Sequence, residues 1–264
     1  ALDAWMTVAG FTFQIFFDFS GYTDIGRGSA LLLGYKVPEN FNWPFLAANL
    51  TEFWHRWHIS LSTWLRDYLF IPLGGSRVGP ARARFNTMLT MILGGLWHGA
   101  AWHYVVWGAF HGVGLVASKE WGDFVRKTPF LSKLRPSPIW HWSGVTLTIL
   151  FLFMAGILFR AKDLPEAIKI TQKLFTTSSG GEVLALFLQS TLPLSISLYI
   201  IYLLVRKTSE NLKLSKNSLK RPLLSLGNFW DQSLPTQIAV YAGTALLILG
   251  FAPMYVAPFI YFQF

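Results

Sequence analysis

The chain has 264 residues, of which 53% are hydrophobic, 17% aromatic and only 13% charged. A soluble domain carries about a quarter charged residues, so half that load, with 23 Phe and 12 Trp, excludes an ordinary water-soluble enzyme and points to an integral membrane protein. The formal charge of +9 does not make a nucleic-acid binder, because Lys and Arg gather between apolar spans rather than in an aromatic-laced basic patch, and the absence of Cys removes any disulfide framework or thiol nucleophile.

In chain order, residues 4–19 (AWMTVAGFTFQIFFDF) predict a short apolar helix ending in the polar run DFSGYTDIGRG. Gly21, Gly26 and Gly28 predict a break or re-entrant turn around 20–28, held by a buried polar network of Asp18, Ser20, Tyr22 and Asp24. GYKVPENFNWPF (34–45) reads as a loop, a helix runs from about 48 to 70, and PLGGSRVGPARAR (72–84) is a Gly/Pro loop. Residues 85–118 are apolar but punctuated by Gly94, Gly95, Gly99, Gly108, Gly112 and Gly114, which predicts two short helices packed closely through small residues. Three stretches, 139–159, 183–205 and 238–262, reach the roughly 20 apolar residues that cross a bilayer.

The expected fold is all-α: a polytopic membrane protein in one domain, residues 1–264, with tilted transmembrane helices and short or re-entrant helices around a central cavity. No signal peptide is evident, and the start at Ala1, close to an apolar run, predicts the C-terminal portion of a longer chain. Basic residues set the orientation. Segment 119–138 holds Lys119, Arg126, Lys127, Lys133 and Arg135, and 206–237 holds six more, against four in 160–182 (Arg160, Lys162, Lys169 and Lys173). If 139–159 and 183–205 each cross once, the first two segments share the cytoplasmic side. Segment 160–182 is either the opposite loop or an amphipathic stretch in the interface.

The stretch TEFWHRWHISLSTWLRDYLFIPLGG (51–75) places Glu52, His55, Arg56, His58, Arg66 and Asp67 in this apolar chain. On one helix His55, Ser62 and Arg66 fall within roughly 80° of His58, and Trp54, Trp57, Leu61, Trp64 and Tyr68 gather on the other flank. Such a stripe beside an aromatic wall suits a helix lining a wet cavity, where costly ionisable groups mark function. An interfacial amphipathic helix anchored by Trp and Arg fits the same pattern. The second run, LGGLWHGAAWHYVVWGAFHG (93–112), sets His98 beside Trp97 in an almost wholly apolar stretch, which favours a shared polar cavity.

Those two runs, with FFDFSGYTDIGRG, NFNWPF and the terminal APFIYFQF, resemble the membrane-bound O-acyltransferase family, and within it the bacterial alginate O-acetyltransferase branch. The resemblance covers 13–112 and the C-terminus; 119–237 matches only in its pattern of spans. It implies a ring of tilted helices thinned at the centre, with funnels from both faces meeting at histidines. The family's invariant histidine maps to His98 in LWHGA and its second active-site position to His58 in RWHIS, where many eukaryotic relatives carry Asn. Relatives often read FWRRWH where this chain has FWHRWH, so His55 replaces a basic residue.

Acyl transfer to a hydroxyl needs a base, oxyanion stabilisation and exclusion of water. The expectation is His98 as general base, kept neutral by burial, and His58 as a partner orienting substrate or donating to the acyl carbonyl. A ping-pong route through acyl-His is an alternative. Trp54, His55, Ser62, Arg66, Asp67, Trp97, Asp18, Tyr22 and Asp24 are the expected substrate-binding or supporting residues. Arg66 and the loop bearing Arg77, Arg82 and Arg84 are candidates for the phosphates of a coenzyme A-type donor, although Arg82 and Arg84 fit a solvated juxtamembrane cluster better. No bound cofactor is expected; the donor is acetyl-CoA or another acyl thioester. Glu52, His55 and His58 have metal-ligand spacing, but HExxH and dense histidine boxes are absent, so no metal is expected. A transporter without chemistry of its own is the rival class. The resemblance further implies a bacterial inner-membrane location, a polysaccharide acceptor and a periplasmic acetyltransferase partner.

Overall fold

A computed structural model gives the structure of residues 2–176, which lie in one compact unit whose regular elements are all helices, with no strand among the described residues. The predicted spans 183–205 and 238–262, the basic segment 206–237 and the terminal APFIYFQF fall outside the described residues.

Helix α1 (Leu2–Leu32) is continuous for 31 residues, so the expected break at 20–28 does not occur. A Cβ added at Gly21, Gly26 or Gly28 would meet nothing within 4 Å. These glycines therefore serve no close approach, and a helical glycine is tolerated at about 1 kcal/mol. Hydroxyls that a break would have used bond back to the helix itself, Ser20 to Phe17 O, Thr23 to Phe19 O and Ser29 to Ile25 O. The helix stops at Gly34 (φ 85°), where Gly34 N–H donates to Leu31 O and Tyr35 N–H to Ala30 O. This is a Schellman ending, which needs a left-handed residue that glycine supplies freely.

The expected helix 48–70 is three pieces. Helix α2 (Leu50–Arg56) ends at Trp57, α3 (Ile59–Leu65) begins after His58, and a π turn covers Arg66–Phe70. His58 sits between them at φ 42°, ψ 56°, a left-handed conformation that no α-helix carries through. Ahead of α2, the loop predicted for 34–45 is present and extends to residue 49, apart from one 3-10 turn, Pro44–Leu46.

Helices α4 (Pro80–His98) and α5 (Trp102–Lys127) form a hairpin through Gly99, Ala100 and Ala101. The glycine-based packing predicted for 85–118 is present, in longer helices than expected. A Cβ on Gly95 would lie 2.2 Å from Tyr104 O, and one on Gly108 2.3 Å from Met91 O. Backbone touches backbone along this seam, as small residues permit in membrane helices. Helices α6 (Pro129–Leu134) and α7 (Pro138–Arg160) follow, and α7 coincides with the predicted span 139–159. Among the described residues it is the one helix long and apolar enough to cross a membrane. Helix α8 (Leu164–Lys173) is amphipathic, a form that suits either of the two placements considered for 160–182. Its Ala167 packs with Val8, Ile157, Ala161 and Leu174, which ties α1, α7 and α8 together.

Candidate active site

The capping pattern of α2 comes first. Asn49 accepts from Glu52 N–H at 2.9 Å, and Glu52 accepts from Ala48 N–H at 2.9 Å and from Arg56. This reciprocal capping fixes the start of the helix. Glu52 is thus committed to structure. Seven residues later the helix ends and the chain turns through His58. The Trp57 carbonyl left open by the turn is taken by the Ser62 hydroxyl at 3.1 Å. Ser62, expected to meet substrate, instead closes the break.

His58 is half-buried. Phe19 of α1 meets its ring edge-on at 4.7 Å between centroids. Phe13, Phe16 and Phe19, spaced to one face of α1, reach Phe41, Phe45 and Trp57, and so press α1 against the turn. The Nδ1 atom of His58 lies 3.3 Å from Asn40 Oδ1 and 3.3 Å from Ser60 Oγ.

His98 closes α4, forty positions further on. Four rings surround it: Trp97 at 5.0 Å, Trp107 at 5.2 Å, Phe159 at 5.1 Å and Tyr104 at 6.2 Å. It is near enough to His58 that the two imidazoles, both charged, would repel each other. The same holds between His98 and His111 of α5.

The expected supporting residues divide. Trp54 is buried, packed edge-on to Trp107 at 6.2 Å and to His111 at 5.2 Å. Trp97 lies beside His98 but is 62% exposed. His55 is exposed on α2, so the predicted common stripe of His55, His58, Ser62 and Arg66 is not formed; the turn at His58 rotates the two halves apart. Arg66 and Asp67 bind each other through two bonds, at 2.7 and 3.2 Å, on the exposed π turn. Asp18 is half-buried on α1. Tyr22 is exposed, and Asp24 pairs with Arg27 at 3.1 Å on the surface. Among the described residues Asp18, Ser20, Tyr22 and Asp24 make no common buried network: Tyr22 and Asp24 are exposed, and the unbroken helix sets Asp18 and Tyr22 on one face and Ser20 and Asp24 on the opposite one.

The arginine-bearing loop is organised from within. Gly74 and Gly75 take positive φ, and the fully buried Asn86 donates to Leu73 O at 3.0 Å and Gly75 O at 3.1 Å. Arg84 pairs with Glu120 at 2.9 Å and Arg82 lies over the Phe85 ring, in line with a surface role for both. Among the described residues no three His, Asp or Glu side chains converge as a metal site would require.

Three residues not singled out from sequence belong to this region. Asn40 and Ser60 contact His58. His111 is buried, with Nδ1 lacking a hydrogen-bond partner among the described residues. One signal for His111 was in the text of the chain: it precedes a glycine, as His98 does, and lies one turn beyond Trp107. For Asn40 no local pattern exists.

A cavity of about 1150 Å³ opens between the start of α2, the C-terminal half of α5 and the N-terminal half of α7. Leu50, Trp121, Trp140 and Phe151 line it, with Lys119 and Arg135 among its charged residues, but neither His58 nor His98 does. A row of rings, Phe151 to His111 at 5.3 Å, His111 to Trp107 at 4.6 Å and Trp107 to His98, runs from its wall to the candidate site.

Comparison with known proteins adds the relatives. Residues 2–160 match the family model described as "MBOAT, membrane-bound O-acyltransferase family". A protein of Pseudomonas putida named "Probable alginate O-acetylase AlgI" is 34% identical over 274 aligned positions, covering 99% of this chain and 53% of that one. Its Pseudomonas aeruginosa namesake is 43% identical over 175 positions, 66% of this chain and 32% of that one. A Helicobacter pylori "Peptidoglycan O-acetyltransferase" is 41% identical over 169 positions, 64% of this chain and 31% of that one. The chain thus spans about half the length of the Pseudomonas putida relative.

Proposed function

Because the chain belongs to the membrane-bound O-acyltransferase family, we propose that it works as a multi-pass inner-membrane O-acyltransferase with His58 and His98 at its reacting centre. It moves an acyl group, acetyl in the simplest case, from a cytoplasmic thioester to a hydroxyl of an exported polysaccharide or of a periplasmic partner. The observation that carries this proposal is that two half-buried imidazoles from separate elements, the α2–α3 turn and the end of α4, lie near enough for each to feel the other's charge. Acyl transfer asks for one group to accept the hydroxyl proton and one to steady the oxyanion, and two neighbouring imidazoles suffice for both.

Support for the acceptor comes from relatives named for alginate and for peptidoglycan, two different cell-surface glycans. Support for the donor comes from the cavity whose lining includes Lys119 and Arg135, in the segment that the basic-residue bias assigns to the cytoplasm. The lining also holds Glu52, paired with Arg56, and Asp123, paired with Arg126, so Lys119 and Arg135 are the cations offered to a phosphate-bearing thioester in a largely apolar cleft. Arg66, Arg82 and Arg84 are already paired or stacked, so they contribute less to that reading.

The test is made in a cell carrying His98→Ala or His58→Ala in the full-length protein. Acetyl ester content of the exported polymer should fall by about 10²-fold or more, the scale of general-base catalysis, while polymer export continues. Wild-type ester content in both variants refutes the proposal. Loss of the polymer itself favours a transporter.

A further inference from the structure

Residues 40–42 lie across the gap between α2 and α3 and bond to both sides of it. Asn42 N–H donates to Arg56 O at 2.8 Å, and Ile59 N–H donates to Asn40 O at 2.9 Å. The Asn40 side chain, buried at 8% exposure, occupies the same gap. Its Oδ1 is 3.0 Å from Ser60 N, 3.0 Å from Ser60 Oγ and 3.3 Å from His58 Nδ1.

Hydrogen-bond chemistry orders this cluster. A backbone N–H can only donate, so the Asn40 atom facing Ser60 N is the carbonyl oxygen, and the amide has one orientation. An amide oxygen can only accept, so the hydrogen facing it belongs to Nδ1 of His58. The alternative has the Ser60 hydroxyl donating to a bare Nδ1. That would set the nitrogen lone pair against Oδ1 and take away the closer hydroxyl donor, at 3.0 Å from Oδ1 against 3.3 Å from Nδ1. A neutral imidazole has one donor and one acceptor nitrogen. With Nδ1 donating, Nε2 holds the lone pair.

We infer that Asn40 is a positioning residue of the acyl-transfer site, holding neutral His58 as the Nδ1–H tautomer so that Nε2 is the proton-accepting atom. This rests on the acyl transfer proposed above and reverses the division of work expected from the sequence, in which His98 is the base and His58 its partner. As the acceptor oxygen bonds to the acyl carbon, its proton passes to His58 Nε2. The tetrahedral adduct then collapses, the C–S bond breaks, and the departing thiolate takes the proton from Nε2. Ester, free thiol and neutral His58 result. His98, whose ring makes no hydrogen bond among the described residues, is left to steady the oxyanion. An acceptor that fixes a catalytic histidine's tautomer is a known device, with an amide in some cysteine proteases and a carboxylate in serine proteases.

The tautomer is read directly by nitrogen-15 NMR of histidine-labelled full-length protein in lipid nanodiscs, with the His58 signals assigned by their loss in His58→Gln. Expected is a protonated Nδ1 and an unprotonated Nε2 on the neutral ring; a predominant Nε2–H overturns the inference. In turnover, Asn40→Leu should lower kcat about 100-fold with KM little changed, less than the roughly 10⁴-fold seen when a triad histidine has the wrong tautomer. Asn40→Asp still accepts and should stay within about fivefold of wild type, as should Ser60→Ala. Wild-type kcat in Asn40→Leu, or equal damage from Ser60→Ala, also overturns it. If His58→Ala and His98→Ala lose transfer while Asn40→Leu does not, this inference alone fails; if they too transfer normally, the site itself is wrong. Should Asn40→Leu not fold, the wild-type ring signals decide.

Discussion

His58 and His98 are held by opposite means. Around His58 the backbone leaves its helix, and directional bonds from the Asn40 side chain and the 40–42 backbone fix what the helix no longer does. Around His98 the helix runs to its end, the ring makes no hydrogen bond among the described residues, and four aromatic rings set its place by shape. A ring held by bonds has a defined tautomer, whereas one held by shape has a defined position and leaves both nitrogens open. The difference suits one group that must accept a proton at a given atom and another that must meet a charge.

If shape governs the His98 side, steric change there should do the largest damage. Gly108→Ala would put a methyl 2.3 Å from Met91 O, where backbone cannot yield cheaply. A clash this close, with backbone on both sides, exceeds the ~1–3 kcal/mol of ordinary overpacking, so loss of the folded protein on expression is expected. A variant that melts normally would mean that the hairpin seam is slack. Trp107→Ala removes the ring shared by His98, His111 and Trp54 and should cost about 3–5 kcal/mol, the range for emptied aromatic core sites. Trp107→Phe should recover most of that in a thermal melt.

Bonds to a carbonyl should matter less. Asn86→Leu leaves two loop carbonyls without their donor, and about 1–3 kcal/mol is expected from denaturation in detergent. Proteolysis should then cut first at 74–79. Smallest of all, Arg84→Ala breaks an exposed pair with Glu120 and should leave stability unchanged within error. A marked loss there would show that the α4–α5 seam depends on surface charge.

Legibility in the sequence follows the same divide. Span α7 could be read directly, because 21 mostly apolar residues without Asp, Glu, Lys or Arg leave little choice, and the hairpin seam could be read from the spacing of its glycines. His58 and His98 were legible as residue types out of place in an apolar chain. The turn at His58 was not, because periodicity shows only that two segments are amphipathic. The partner that stabilises the turn, Asn40, comes from 18 positions away. Glycine misled at 20–28 for the converse reason: it permits a break but does not require one, and these glycines face open space.

The left-handed backbone of His58 reaches past chemistry into how such a protein endures heat. Outside glycine, asparagine and aspartate, that conformation costs roughly 1–2 kcal/mol, so the fold holds an imidazole where another residue would rest more easily. His58→Asn, the residue that the resemblance places there in many eukaryotic relatives, should melt no lower than wild type while losing turnover. Screening for thermal robustness alone would then tend to discard the ring, and ester formation would have to be assayed alongside to keep it.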